Sequence, residues 1–303
     1  MSYTKIEGRF PSSDKRHEIP YYVCTPDGTN PKGIVQILHG MGESSASYEQ
    51  NGLVKELCAG GYVVCASDHL GHGGTVEQEA EQGDIKDMEL LLRDARQLRK
   101  ILQTKYRHLP YFFLGHSMGS FLLRDYINRY PDEIDGAILS GTFASDSNVR
   151  LAKLISKFLC LLGLGKKPSK LMQKIVFENL KQPGEEHKKP TGRGFTARGY
   201  FQLFSIMEKI SDETAIQTMP CSVPILMVSG ENDPLGGMGE GLKQLYNLYF
   251  EAGVDDLTLK LYPNIGHGVL SEPGKETVFQ DVIQWLDAEC EHFCNDRVWN
   301  PIF

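Results

Sequence analysis

The chain has 303 residues, 41% of them hydrophobic and 23% charged, with a formal net charge of −7. This balance excludes a disordered or fibrous chain and fits a globular protein built as one large domain or a domain plus an insertion. There is no run of about 18 apolar residues to span a membrane. Met1 to Arg9 lack the apolar core of a secretory signal, and seven scattered cysteines suit a reducing compartment, so a soluble cytoplasmic protein is expected.

In chain order, strand patterns fall near 19–24, 33–38, 62–67, 111–115, 136–140, 223–229 and 256–262. Helix patterns fall near 45–60, 85–106, 118–129, 239–252 and 277–290. This alternation predicts an α/β fold with a mostly parallel central sheet flanked by helices. Between 143 and 218 helical stretches follow one another with no strand. The expected organisation is therefore a core of 1–142 and 219–303 with a helical cap, 143–218, inserted into it.

The pentapeptide Gly115-His116-Ser117-Met118-Gly119 joins the apolar run Tyr111 to Leu114 to a helix that ends at Pro131. A serine on so sharp a strand-to-helix turn is lifted above the sheet, and the flanking glycines let the two backbones pass closely. Ser117 is the candidate nucleophile. Of nine histidines, His17, His108, His187 and His292 sit in polar surroundings and are expected in solvent. His116 adjoins the serine and is expected to shape the turn. His267 lies in a loop just after the last strand pattern, and there it is the candidate base. The strand 223–229 runs into Gly230-Glu231-Asn232-Asp233-Pro234, which presents a carboxylate at the same edge; Asp233 is the first choice and Glu231 the second. The chain order Ser117, Asp233, His267 is that of an α/β-hydrolase. Two backbone N–H groups are needed for a developing oxyanion. Met118 supplies one, and Met41, in the Gly-rich exit His39-Gly40-Met41-Gly42-Glu43, supplies the other.

These segments, with Ser67-Asp68-His69-Leu70-Gly71-His72-Gly73, resemble the lysophospholipase, monoacylglycerol lipase and serine-aminopeptidase-like branch of the α/β-hydrolases. The resemblance implies a triad of Ser117, Asp233 and His267 and no cofactor. It also implies a small lipid ester as substrate, with the Asp68 to Gly73 segment as a structural loop near the site. Family members often carry an acid directly after the catalytic histidine, where Gly268 stands here.

The cap segment 150–198 holds twelve Lys or Arg and three Glu (Glu178, Glu185, Glu186), a net of +9, which leaves −16 on the remainder. Its leucine-rich stretch from Leu151 to Leu164 is amphipathic. Such a helix either meets an anionic membrane surface peripherally or docks its apolar face on the core with lysines in solvent. Phe195, Tyr200, Phe201, Phe204, Ile206 and Met207 either line an acyl pocket or form the cap's own core. Nucleic acid is excluded as a partner by the acidic body and the lack of a reading motif. No metal site is expected, because Cys290, His292 and Cys294 do not share one helix face.

The expected function is ester hydrolysis on a single-chain lipid, a lysophospholipid or monoacylglycerol. A serine aminopeptidase would need an acidic anchor in the cap, and a short-chain carboxylesterase remains open. A non-catalytic binding protein on the same fold is the third alternative.

Overall fold

Uninterrupted apolar runs mark strands buried on both faces, and five strands of this sheet are buried along their whole length. The computed structural model describes residues 2–144, 147–178 and 194–299. The strands are β1 (Tyr3–Pro11), β2 (Glu18–Pro26), β3 (Gly33–Leu38), β4 (Tyr62–Ser67), β5 (Tyr111–His116), β6 (Gly136–Ser140), β7 (Ile225–Gly230) and β8 (Leu257–Tyr262). They form one sheet in the order β1-β2-β4-β3-β5-β6-β7-β8. From β4 to β8 every pairing is parallel, while β1 and β2 add antiparallel at one edge.

The helices are α1 (Ala46–Gln50), α2 (Leu53–Ala59), α3 (Met88–Lys105), α4 (Met118–Arg129), α5 (Ser147–Leu159), α6 (Lys170–Glu178), α7 (Ala197–Ile210), α8 (Glu213–Gln217), α9 (Glu240–Glu251) and α10 (Lys275–Trp299). Alternate strand residues face opposite layers. Phe113 and Leu139 pack in one core with α3, α4, α7 and α9. Phe112, Leu114 and Ile138 pack in a second core with α2 and α10. The helices α5 to α8 all lie between β6 and β7, and among the described residues that stretch adds no strand to the sheet.

Three sequence expectations change. β1 is an eighth strand, missed because Lys5, Glu7 and their neighbours are exposed and the edge strand shows no clean period of two. The helix expected over 45–60 is two helices, broken at Gly52, whose φ of 94° no helix tolerates. His17, expected in solvent, is 8% exposed because its Nδ1 meets the Asp14 carboxylate at 2.7 Å.

Arg124 on α4 is only 1% exposed. Its guanidinium donates to Tyr249 Oη (2.8 Å), to the Phe143 carbonyl (3.0 Å) and to the Ile210 carbonyl (3.1 Å). Among the described residues no carboxylate lies within ion-pair distance. The charge is solvated by oxygens from three separate segments, which it ties to α4. Replacing it with an apolar chain leaves those oxygens buried and unpaired. Arg124→Leu is expected to lower stability by about 2–5 kcal/mol, read as a fall in the urea midpoint at unchanged m-value.

Candidate active site

Ser117 stands between β5 and α4 with φ 51° and ψ −117°, a backbone conformation that costs energy and persists only under external constraint. The constraint is visible. Its N–H donates to the Ser140 carbonyl (2.9 Å), and its own carbonyl accepts from Ser120 N (2.8 Å) and Ser120 Oγ (2.6 Å). A Cβ at Gly119 would fall 2.0 Å from the Leu38 carbonyl oxygen, and one at Gly115 2.5 Å from the Gly119 oxygen. No side chain fits where β5, α4 and the end of β3 meet.

His267 enters from the loop after β8. Its Nε2 lies 2.9 Å from Ser117 Oγ, and its Nδ1 lies 2.9 Å from Asp233 Oδ2. Asp233, fully buried at the turn after β7, also accepts from Ser229 Oγ (3.1 Å) and, through Oδ1, from Leu235 N (2.9 Å). An acceptor-only carboxylate fixes the proton on Nδ1 and leaves Nε2 to accept from the serine hydroxyl. Glu231, the second choice, is exposed and outside this chain of hydrogen bonds.

The electrostatics follow from the pairing. Burial alone would raise the Asp233 pKa, but the facing imidazole and the hydrogen bonds it accepts hold it below the usual carboxylate range. Burial alone would lower the His267 pKa. Asp233, with Glu43 and Glu272 adding in the same direction, raises it above 6.5 instead.

The Met41 and Met118 N–H groups have no protein acceptor among the described residues. Met118 opens α4, where the helix dipole favours negative charge. Met41 follows Gly40, whose carbonyl accepts from His39 Nδ1 (2.9 Å) and whose N–H donates to Glu43 Oε2 (2.9 Å). Both residues, with Ser117 and His267, line a cavity of about 400 Å³. Its walls are otherwise largely apolar, with Phe121, Phe143, Leu203 and Phe204 among them.

Sequence reasoning gave Glu43 no task of its own. It accepts from Gly40 N and from Tyr48 Oη (2.7 Å), and its Oε1 lies 4.0 Å from His116 Nε2. The glutamate three residues beyond a glycine turn was the only signal available. His116 does brace the turn, through Ser140 Oγ (3.0 Å). Asp68 holds Ser45 and Gly74, and the His69 N–H donates to His39 Nε2 (2.9 Å), so this loop braces the β3 exit.

Of the cap residues singled out in the sequence, Phe204 and Met207 line the cavity. Phe195, Tyr200 and Ile206 are buried in the core, and Phe201 is half-buried. Cys290 is buried with its thiol donating to the Lys32 carbonyl, while Cys294 is exposed. Ligand-capable atoms of His292, Glu289 and Asp256 do approach within 4.8 Å of one another. His187, Lys181, Glu185, Glu186, Lys188, Lys189 and Arg193 lie outside the described residues.

Residues 29–274 match the family described as "Serine aminopeptidase, S33". The chain belongs to this family. It is an α/β-hydrolase, as the sheet order and the sharp turn at Ser117 lead one to expect. A monoacylglycerol lipase of Mycolicibacterium smegmatis is 29% identical over 278 residues, covering 88% of this chain and 92% of that one. The human monoglyceride lipase is 29% identical over 272 residues, covering 86% and 84%. The crystal structure of a thermostable carboxyl esterase from Bacillus coagulans superposes with a TM-score of 0.84 at 27% identity, covering 96% and 99%. Among the described residues no helix is long and apolar enough to cross a membrane.

The hydrogen-bonded pair makes a direct prediction. The His267 imidazolium loses its proton above pH 6.5, and Asp233→Asn moves that titration to lower pH, both read by ¹⁵N NMR of the ring. A titration unmoved in Asp233→Asn would contradict the pairing described here.

Proposed function

We propose that this hydrolase cleaves carboxylic esters of single-chain lipids, monoacylglycerols or lysophospholipids, through an acyl-enzyme on Ser117. The observation that carries this reading is the apolar cavity of about 400 Å³ opening on Ser117 Oγ. That volume falls in the range of small-ligand sites. Relatives named as monoacylglycerol and monoglyceride lipases support the same substrate class.

In the reaction His267 Nε2 takes the Ser117 proton as Oγ attacks the ester carbonyl. Asp233 holds the ring in the tautomer that can accept it. The Met41 and Met118 N–H groups receive the oxyanion of the tetrahedral intermediate. Collapse returns the proton from His267 to the departing alcohol and leaves the acyl-enzyme. A water, deprotonated by the same nitrogen, then releases the fatty acid.

An aminopeptidase acting at this site would need an anion to hold the substrate's free amine. Among the described residues the cavity lining contains no carboxylate, which favours the uncharged ester.

Residues 143–218 act as the cap over this cavity. Two faces of α5 support a role at a lipid surface. Val149 and Ala152 face the cavity, whereas Leu151, Leu154 and Phe158 are 59 to 63% exposed, and Leu161, just past the end of the helix, is 77% exposed. Lys157 on the same helix, and Lys166 and Lys167 beyond its end, are exposed as well. Lys153 is not free, since it pairs with Glu208. An apolar ridge flanked by ammonium groups fits an anionic membrane interface.

Ser117→Ala is expected to lower kcat on long-chain monoacyl esters by on the order of 10⁶. A preference for short soluble acetates over long-chain monoacyl lipids would sink the substrate assignment. No Ser117-dependent turnover on any ester or amide would favour a binding protein. Reversing Lys157, Lys166 and Lys167 to Glu is expected to weaken co-sedimentation with anionic vesicles; undiminished binding would end the electrostatic part of the proposal.

A further inference from the structure

His267 sits in an irregular loop between β8 and α10, outside any strand ladder or helix. Loops of this kind move unless their backbone groups are tied down. The contacts of His267 with Ser117 and Asp233 are made by the ring's own two nitrogens, so something else must hold the main chain beneath the ring.

Here the two peptide N–H groups on either side of His267 end on one carboxylate. Gly266 N donates to Glu272 Oε2 (2.6 Å) and Gly268 N to Glu272 Oε1 (2.8 Å). The Gly268 carbonyl returns the contact, accepting from Ser271 N (2.7 Å) and Glu272 N (2.8 Å). Upstream, the Ile265 carbonyl accepts from Asn232 N (2.9 Å), which joins the loop to the turn carrying Asp233. Space enforces the same arrangement. A Cβ at Gly268 would lie 2.8 Å from Ser271 Oγ and 3.0 Å from Glu272 Oε1. Gly268 therefore leaves room for the Glu272 carboxylate to reach back beside the histidine.

The charge has a second effect. Among the described residues no Lys, Arg or His forms an ion pair with Glu272. Its two oxygens are shared with neutral N–H groups, so its negative charge acts on the nearby imidazole without a cation to cancel it. It adds to Asp233 in favouring the protonated ring.

We propose that Glu272 is a positioning residue that clamps the main chain on both sides of His267 and keeps a carboxylate charge beside its ring. The inference rests on the reading of His267 as the general base. Geometry and charge can be separated by two substitutions. Glu272→Asp keeps the charge but is one methylene too short to span both N–H groups. Glu272→Gln removes the charge and turns an NH₂ toward one of the N–H donors.

On a long-chain monoacyl ester, both variants are expected to lose on the order of 10-fold to 100-fold in kcat, with KM changed by less than about twofold because Glu272 does not line the cavity. The acid limb of kcat/KM is expected to move to lower pH in Glu272→Gln, since a group that raises the pKa of His267 has been removed. In Glu272→Asp the limb stays where it is. Unchanged kcat in both variants, or an acid limb unmoved in Glu272→Gln, overturns the proposal. If Glu272→Gln does not fold, the kcat of Glu272→Asp decides alone. Failure of the underlying reading is distinct, because turnover would then persist in Ser117→Ala.

Discussion

One close approach governs the architecture of the site: the first turn of α4 lies against the last carbonyl of β3. At Gly119 the gap is too small for a methyl group. Because α4 cannot retreat, Ser117 is held in its strained backbone conformation and its hydroxyl is lifted off the sheet. The same contact sets the distance between the helix N-terminus and the loop leaving β3. The Met41 and Met118 N–H groups thus take their spacing from one packing event. Two elements distant in sequence are brought into register by the parallel pairing of β3 with β5.

Much of this was legible in the residues because the chemistry is punctuated by structure. Ser117, Asp233 and His267 each follow an apolar strand run and lie within two residues of glycine, proline or asparagine, so each could be placed at the sheet's carboxyl edge. The fold class followed from alternation alone. What was not legible has a common physical origin. Glu43 and Glu272 act by turning a carboxylate onto backbone N–H groups of their own loops, an interaction with no period and no required spacing. β1 escaped notice because exposure on both faces erases the alternation that marks a strand. The break at Gly52 was hidden inside an apolar pattern that suits one helix or two.

The α5 segment shows a different limit. Its leucines and lysines give a strong amphipathic signal, but such a signal cannot say which side the core occupies. The helix is in fact apolar on two sides. Val149 and Ala152 are buried inward, while Leu154 and Phe158 remain outside. The sequence posed docking and surface contact as alternatives. In this geometry one helix carries a buried apolar stripe and a separate exposed one.

That outer stripe is left bare by a helix whose order does not depend on covering it, and Arg124 shows how. Phe143 and Ile210, the two residues whose carbonyls it binds, stand near the points where the proposed cap leaves and rejoins the core. A single guanidinium therefore closes a ring of chain between positions 143 and 210. For a flexible segment of that length the closure entropy is about 4 kcal/mol. With the ring held at its neck, that part of the cost of organising the intervening helices is met in the core, far from solvent. The apolar ridge of α5 is thus free to stay exposed.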